Sequence, residues 1–430
     1  MAVIDLGDLR SEPPPAPPRP PRLPRGLPHL LLGVVMLLAL TGAAPRARPL
    51  PATTISASIG AAALLSADRV YVVIPPRRAD EAERMVSAYR LPDARPLWRI
   101  SLTLRNPTWG RMLPVAVIDD TVVVSSYVDS GARPIGEVFA LDAATGQLRW
   151  RRPGRLIGGA GDPLVMLLED HRRSVRVMGV AVTTGVERWS LPVPVDAQMW
   201  PGHGDQSRLL VVAHSSGLVE VRDADTGELL RESRFAGDRS PAVRAAGDLL
   251  LRYDAHAITA YQLPNLEQRW SVPRDRGAPG IAYPCGDLLC LIPGSRGVRV
   301  VDPRDGRIRW RLDWADYVEP IGRYLAALGV STLGAPQRLV VLDPESGRQI
   351  GDLGPWTVID PARADGRVTA IRRDPETSRV QVALLDPATA RVHTVAMLDR
   401  VSGECQATGD VLLCRRVADF SFGIWTLPSS

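Results

Sequence analysis

Beyond residue 50 the chain alternates between short apolar runs and clusters of turn residues. Examples are LLLRY after Gly247-Asp248, LLCLI after Gly286-Asp287 and VLLCR after Gly409-Asp410. Runs this short, bounded by Gly, Pro and Asp, predict strands rather than helices. A second run follows and ends in Asp, as in VRVVD (298–302) and RLVVLD (338–343). A small polar residue and Gly come next, then a third run holding a tryptophan, as in RIRWRL (307–312). Such an Asp bonds neighbouring backbone amides, and Gly accepts positive φ, so the pattern encodes a tight hairpin. Each unit therefore reads as about four short antiparallel strands.

The unit repeats. Its fullest copy runs from Ala140 through Asp142, Thr145 and Gly146 to Trp150, and another runs from Val300 through Asp302 and Gly306 to Trp310. A third has Asp223 and Gly227 with Arg231 in the tryptophan place, and a fourth has Asp343 and Gly347 followed by Gly351. Weaker copies lead from Thr184-Gly185 to Trp189 and from Asp386 to Thr394. Two units carry a Leu-Pro turn instead, Leu91-Pro92 before Trp98 and Leu263-Pro264 before Trp270. Measured at the tryptophan place, the spacing is close to 40 residues after one longer interval, which an insertion around 127–134 would absorb. A period of about 40 is the length of a four-stranded propeller blade.

An array of repeated strands must close or stack to hide its edges. The expected fold is all-β, a β-propeller of about eight four-stranded blades, with seven or nine as alternatives. Strands from Cys405–Leu427 would pair with an N-terminal strand in ATTISAS (52–58) to close the ring. Trp98, Trp150, Trp189, Trp270 and Trp310 are expected to pack between neighbouring blades, which explains ten Trp against four Phe. Asp142, Gly146, Gly185, Asp223, Gly227, Asp302, Gly306, Asp343 and Gly347 are read as turn architecture, since they recur too regularly for a unique active site.

The recurring A-x-D-x-x-T-G-x-x-x-W pattern, met at every signature position in 140–150, resembles the PQQ-binding-like (quinoprotein-type) β-propeller repeat. The resemblance covers about residues 55–427. It implies a propeller, and in the family's dehydrogenases a quinone bound beside calcium in the central channel. Those enzymes carry adjacent cysteines, which are absent here. No position matches their calcium ligands or catalytic base. Trp200 and Trp314 lie off the repeat position and are assigned to loop packing before channel lining. Other members are rigid interaction platforms.

Upstream, nine prolines and three arginines in residues 11–28 predict an unpacked polyproline-like tail (1–26). An apolar run, Leu30–Ala44, follows. Extended to 27–45 it is just long enough to span a bilayer, and the preceding arginines place the tail in the cytoplasm. The expectation is an uncleaved transmembrane signal anchor with residues 46–430 outside the cytoplasmic membrane. A cleaved signal peptide, giving a secreted protein, is the alternative. No cysteine follows the run, so a lipid-bearing cysteine is excluded.

The four cysteines form two close pairs. Cys290 and Cys414 occupy the same strand position in non-adjacent units, too far apart for mutual bridging. Cys285–Cys290 and Cys405–Cys414 are therefore expected as hairpin disulfides, with free thiols as the alternative. All 52 basic residues are Arg, so mechanisms needing a catalytic lysine are excluded. Net charge is +5, with both signs mixed along the chain, so nucleic acid is not an expected partner. The six histidines are scattered without metal-ligand spacing. Asp119-Asp120 falls at a hairpin turn. No catalytic set emerges. The expected role is a non-enzymatic, membrane-anchored scaffold binding an envelope protein or small ligand. No cofactor or metal is expected, and a PQQ- and calcium-dependent oxidoreductase is the alternative.

Overall fold

The computed structural model describes residues 50–428 apart from 77, 79–80, 106–110, 128–135, 159–163, 170–173, 203–207, 236–241, 255, 275–280, 293–296, 332–335, 362 and 375. The expected tail and anchor (1–45), and nearly all of the insertion around 127–134, lie outside the described residues. Among the described residues there is no helix long and apolar enough to cross a membrane.

The described strands run from β1 (Ala52–Ile55) to β36 (Phe422–Thr426) and form nine four-stranded antiparallel sheets. Sheet 1 runs from β2 (Ala62–Leu65) to β5 (Arg95–Thr103), and sheet 2 from β6 (Arg111–Ile118) to β9 (Leu148–Pro153). Sheet 3 spans β10 (Arg155–Gly158) to β13 (Glu187–Pro194), and sheet 4 spans β14 (Gln198–Pro201) to β17 (Leu229–Arg234). Sheet 5 runs from β18 (Ala242–Ala246) to β21 (Glu267–Pro273), and sheet 6 from β22 (Ile281–Cys285) to β25 (Ile308–Leu312). Sheet 7 spans β26 (Tyr317–Ile321) to β29 (Gln349–Gly354), and sheet 8 spans β30 (Thr357–Asp360) to β33 (Arg391–Asp399). Sheet 9 joins the two ends of the chain: β34 (Val401–Thr408), β35 (Val411–Arg416), β36 and then β1.

Strand alternation explains how the sheets stack. Successive side chains point to opposite faces. In sheet 2, Val122 and Val124 pack back onto sheet 1 while Val123 packs forward onto sheet 3. Both faces are covered, so the second and third strands of the sheets read as near-continuous apolar runs. The core is accordingly divided into nine clusters among the described residues, each bridging one sheet and the next. The last of them joins sheet 9 (Ile55, Leu413, Ile424) to sheet 1 (Val70, Val72), so the array closes on itself. First strands of neighbouring sheets approach one another, as β2 does β6, β18 does β22 and β34 does β2. The first strand of each sheet therefore lies innermost.

The described sheets number nine, the upper alternative to the expected eight, and the expected closure by an N-terminal strand is present. The eight turn units map onto sheets 1–8, and the trailing segment forms a complete ninth sheet once β1 is added. Ala52 pairs with Trp425 and Ile55 with Phe422 in antiparallel register. Gln406 then clasps sheet 9 to sheet 1. Its Oε1 accepts from the Leu65 N–H and its Nε2 donates to the Ala63 carbonyl, both at 2.8 Å.

Candidate functional site: junctions, inner strands and turns

In the 140–150 copy, the Asp142 carboxylate accepts from the Thr145 N–H and hydroxyl, each at 2.8 Å, and from the Ala144 N–H at 3.0 Å. The Gly146 N–H donates to the Asp142 carbonyl at 2.8 Å, and Gly146 has φ +74°. Asp223, Asp302 and Asp343 hold their turns in the same way. In the weaker copy Ala181 takes the Asp place, and only its carbonyl receives the Gly185 N–H.

Each expected tryptophan reaches the turn of the following sheet. The indole N–H of Trp98 donates to the Ala143 carbonyl at 3.0 Å, Trp150 to Val182 at 2.6 Å, and Trp189 to Ala224 at 2.9 Å. Trp270 donates to Pro303 at 2.8 Å and Trp310 to Pro344 at 3.0 Å. Each ring lies flush on the turn glycine, namely Gly146, Gly185, Gly227, Gly306 and Gly347 in the same order. A Cβ on any of these glycines would lie no more than 2.8 Å from the indole.

Tryptophan and glycine disappear together. Where the tryptophan place is Arg231, Gly351 or Thr394, the next sheet's turn has Leu266, Ala390 or Phe420 at positive φ. Where β1 supplies the outer strand, the next turn has Ala94 at positive φ. A large ring demands a bare backbone opposite it. Without the ring, a Cβ can fill the space.

Sequence reading missed a second recurring contact. The residue before the tryptophan is often Arg, and it reaches back seven positions to the turn acid. Arg149 pairs with Asp142 at 2.6 Å and with Asp120 at 2.6 Å, and Arg309 pairs with Asp302. Arg269 donates to Gln262 at 2.8 Å, where glutamine stands in the acid's place. The visible signal was the recurring Arg-Trp dipeptide.

These contacts set the charge state of the turns. The Arg149 guanidinium, then the Thr145 hydroxyl and N–H, hold the Asp142 carboxyl well below the usual carboxylate range. The Arg304 N–H and the Arg309 guanidinium do the same for Asp302, as the Ser346 hydroxyl does for Asp343. Acids with depressed folded values stabilise the fold above the unfolded pKa of ~3.9 and lose that contribution as pH falls through the folded values. The urea midpoint is therefore expected to hold from pH 7 to 5 and to fall below about pH 4. An equal midpoint at pH 3 and pH 7 would contradict this assignment.

Both disulfides are formed. Cys285 on β22 bridges Cys290 on β23 (Leu288–Ile292) with a Cα–Cα distance of 5.8 Å. Cys405 on β34 bridges Cys414 on β35, its direct cross-strand partner, with a Cα–Cα distance of 4.1 Å. Each links the two innermost strands of one sheet. Replacing either pair by alanine is expected to cost about 2–3 kcal/mol in chemical denaturation. Alkylation without reductant should modify no cysteine.

The inner strands expose few charges. Glu319 on β26 touches solvent but is ringed by protein, and that burial pushes its carboxyl up. Trp200 lies on the inner strand β14 and packs beside sheets 4 and 5, while Trp314 packs beside sheets 6 and 7, under the Arg338 guanidinium at 4.6 Å. His171 and His203 lie outside the described residues. His214 sits 3.0 Å from Glu220, His256 lies in the bend between the second and third strands of sheet 5, and His393 lies on β33 of sheet 8. Among the described residues, no three His, Cys, Asp or Glu side chains converge as metal ligands. Asp119 takes φ +51° in a hairpin turn beside Asp120.

Residues 173–353, the stretch from sheet 3 to sheet 7, match the family model described as outer membrane protein assembly factor BamB. This stretch is thus similar to the PQQ-like β-propeller repeat. Among solved structures, BamB from Moraxella catarrhalis is 13% identical, with 89% of this chain and 99% of that one covered at a TM-score of 0.40. The computationally designed protein Ika8 is also 13% identical, with coverages of 73% and 96% at a TM-score of 0.46. The C-terminal WD40 domain of Sif2 is 8% identical, with coverages of 89% and 99% at a TM-score of 0.43. A search of curated proteins returns no match. In this array the repeat's Asp holds its own turn, while its Gly and the preceding sheet's Trp hold neighbouring sheets together.

Proposed function

We propose that the chain is a membrane-tethered, extracytoplasmic β-propeller that binds other proteins as a rigid scaffold and does so without catalysis. The observation that carries this reading is the match of residues 173–353 to the assembly-factor family model. Two features support the location. The apolar run Leu30–Ala44 follows Arg19, Arg22 and Arg25 of the tail, and both cysteine pairs are oxidised, as suits an exported chain. A closed ring of nine blades is the rigid element, and loops at the ends of its strands would present the contacts.

The test combines fractionation with proximity labelling from the C-terminus of the full chain. The expected result is a protein that pellets with membranes, is digested by protease added outside the cytoplasmic membrane, and labels a reproducible set of envelope proteins. Recovery in the cytosol, or labelling no different from an exported control, would overturn the reading. Titration of the full chain with pyrroloquinoline quinone and calcium is expected to give no saturable heat. Saturable binding with dye-linked turnover would replace the scaffold by an oxidoreductase.

A further inference from the structure

The described innermost strands, which line the inside of the ring, carry three acids: Glu319 on β26, Asp360 on β30 and Glu404 on β34. Glu404 pairs with Arg415 at 2.6 Å, and Asp360 has a partner. Glu319 makes no hydrogen bond or ion pair with any described residue. Its side chain reaches solvent, so a ligand has access to it. Burial raises its carboxyl, and no charged neighbour contributes. Arg244 holds the matching place on β18, two sheets back, too far to act on it. A partly dehydrated carboxylate without a partner is costly, and a cation beside it would offset that cost.

Two tyrosines flank this carboxylate. Tyr283 on β22 and Glu319 on β26 occupy the same place on adjacent inner strands, three residues before the turn glycines Gly286 and Gly322. The Tyr283 hydroxyl accepts from the Val318 N–H at 2.9 Å, so the phenol reaches across from β22 to the residue beside Glu319. Burial pushes this phenol up, and the Val318 bond offsets part of the rise. The Glu319 carboxylate and the Tyr317 phenol push it further, so all three groups share one neighbourhood. Tyr317 lies two residues before Glu319, on the same face of β26, and is 51% exposed. The inner wall between β22 and β26 therefore presents an accessible, unpaired acid edged by aromatic surface.

We propose that this wall of the ring takes the guanidinium or ammonium head of a basic side chain from a bound protein. Glu319 accepts its charged N–H groups, and the rings of Tyr283 and Tyr317 cover its head and stem. Charge complementarity decides the ligand class. One unpaired negative group beside electron-rich rings attracts a cation and repels an anion. The source of the side chain rests on the protein-binding reading above, while the site itself can be tested without a partner.

The probe is N-acetylarginine amide, titrated into the full chain by calorimetry, with the neutral isostere N-acetylcitrulline amide alongside. One saturable site per chain is expected for the arginine compound, with the citrulline compound at least about tenfold weaker. Glu319→Gln should weaken arginine binding by about tenfold. Because it removes an unpartnered charge, it should leave the melting temperature equal or higher. Tyr317→Ala, at an exposed position, should weaken binding by about threefold. Glu404→Gln, at the acid already paired with Arg415, should leave it unchanged. Absence of saturable binding, equal affinity for the two compounds, or full affinity in Glu319→Gln would overturn the site. Proximity labelling then tests the source of the cation: Glu319→Gln should lower the yield of labelled envelope proteins several-fold. Undiminished labelling by a variant that no longer binds the probe would overturn the assignment to a protein's side chain. Probe binding without specific labelling by the unmodified chain would overturn the scaffold reading and leave the cation site supported.

Discussion

Replacing Trp150 by alanine is expected to lower the unfolding free energy by about 3–5 kcal/mol. The ring is 8% exposed, donates to the Val182 carbonyl of the next sheet, and lies on Gly185. Removing it opens a void and removes the indole hydrogen bond to the Val182 carbonyl. Gly185→Ala attacks the same junction from the other side. Its Cβ would meet the indole at 2.5 Å, and φ there is +69°, in the left-handed region that favours glycine. The two substitutions should therefore be non-additive. In the Trp150→Ala background the new Cβ enters vacated space, and only its backbone strain remains. A double-mutant cycle in urea reads this directly. Additive losses would show that ring and glycine do not share one contact.

Deletion of residues 1–56 is the second change with a large expected effect. It removes β1, and with it the outer strand of sheet 9 and Ile55, which is 2% exposed in the closing cluster. Losing that side chain alone carries a cost of about 2–5 kcal/mol. The bare edge of β36 adds a template for association. The truncated chain is expected to lose cooperative unfolding and to aggregate. Deletion of residues 1–47 spares β1 and should leave the melting temperature unchanged. Gln406→Ala tests the clasp separately, with an expected loss of about 1–3 kcal/mol from the unpaired Leu65 N–H and Ala63 carbonyl. A truncated protein lacking residues 1–56 that melts as the full chain does would refute strand-mediated closure.

Much of this architecture was legible in the sequence because its turns need particular chemistry. Asp142 and Gly146 are recognisable since few other residues bond three turn groups or accept φ +74°. The hairpin cysteines could be paired by position alone. The ninth sheet was harder to read. Its last turn uses Phe420 at positive φ instead of glycine, and its outer strand comes from the opposite end of the chain. The coupling of Trp to Gly across a junction was hidden for a related reason. The partners belong to consecutive units, and scanning one unit at a time shows each as an independent consensus position.

The joining of both chain ends in sheet 9 also bears on how the molecule is made. Ala52 emerges from the ribosome well before its partner Trp425, with sheets 1–8 made between them. Pairing at such sequence separation is slow, because the entropy of the whole intervening chain opposes it. Until then the ring is a horseshoe with one open β36 edge and one stray β1. At low concentration the chain's own β1 wins. At high concentration a second copy's β1 competes for the same edge, and two horseshoes can complete each other as a swapped pair.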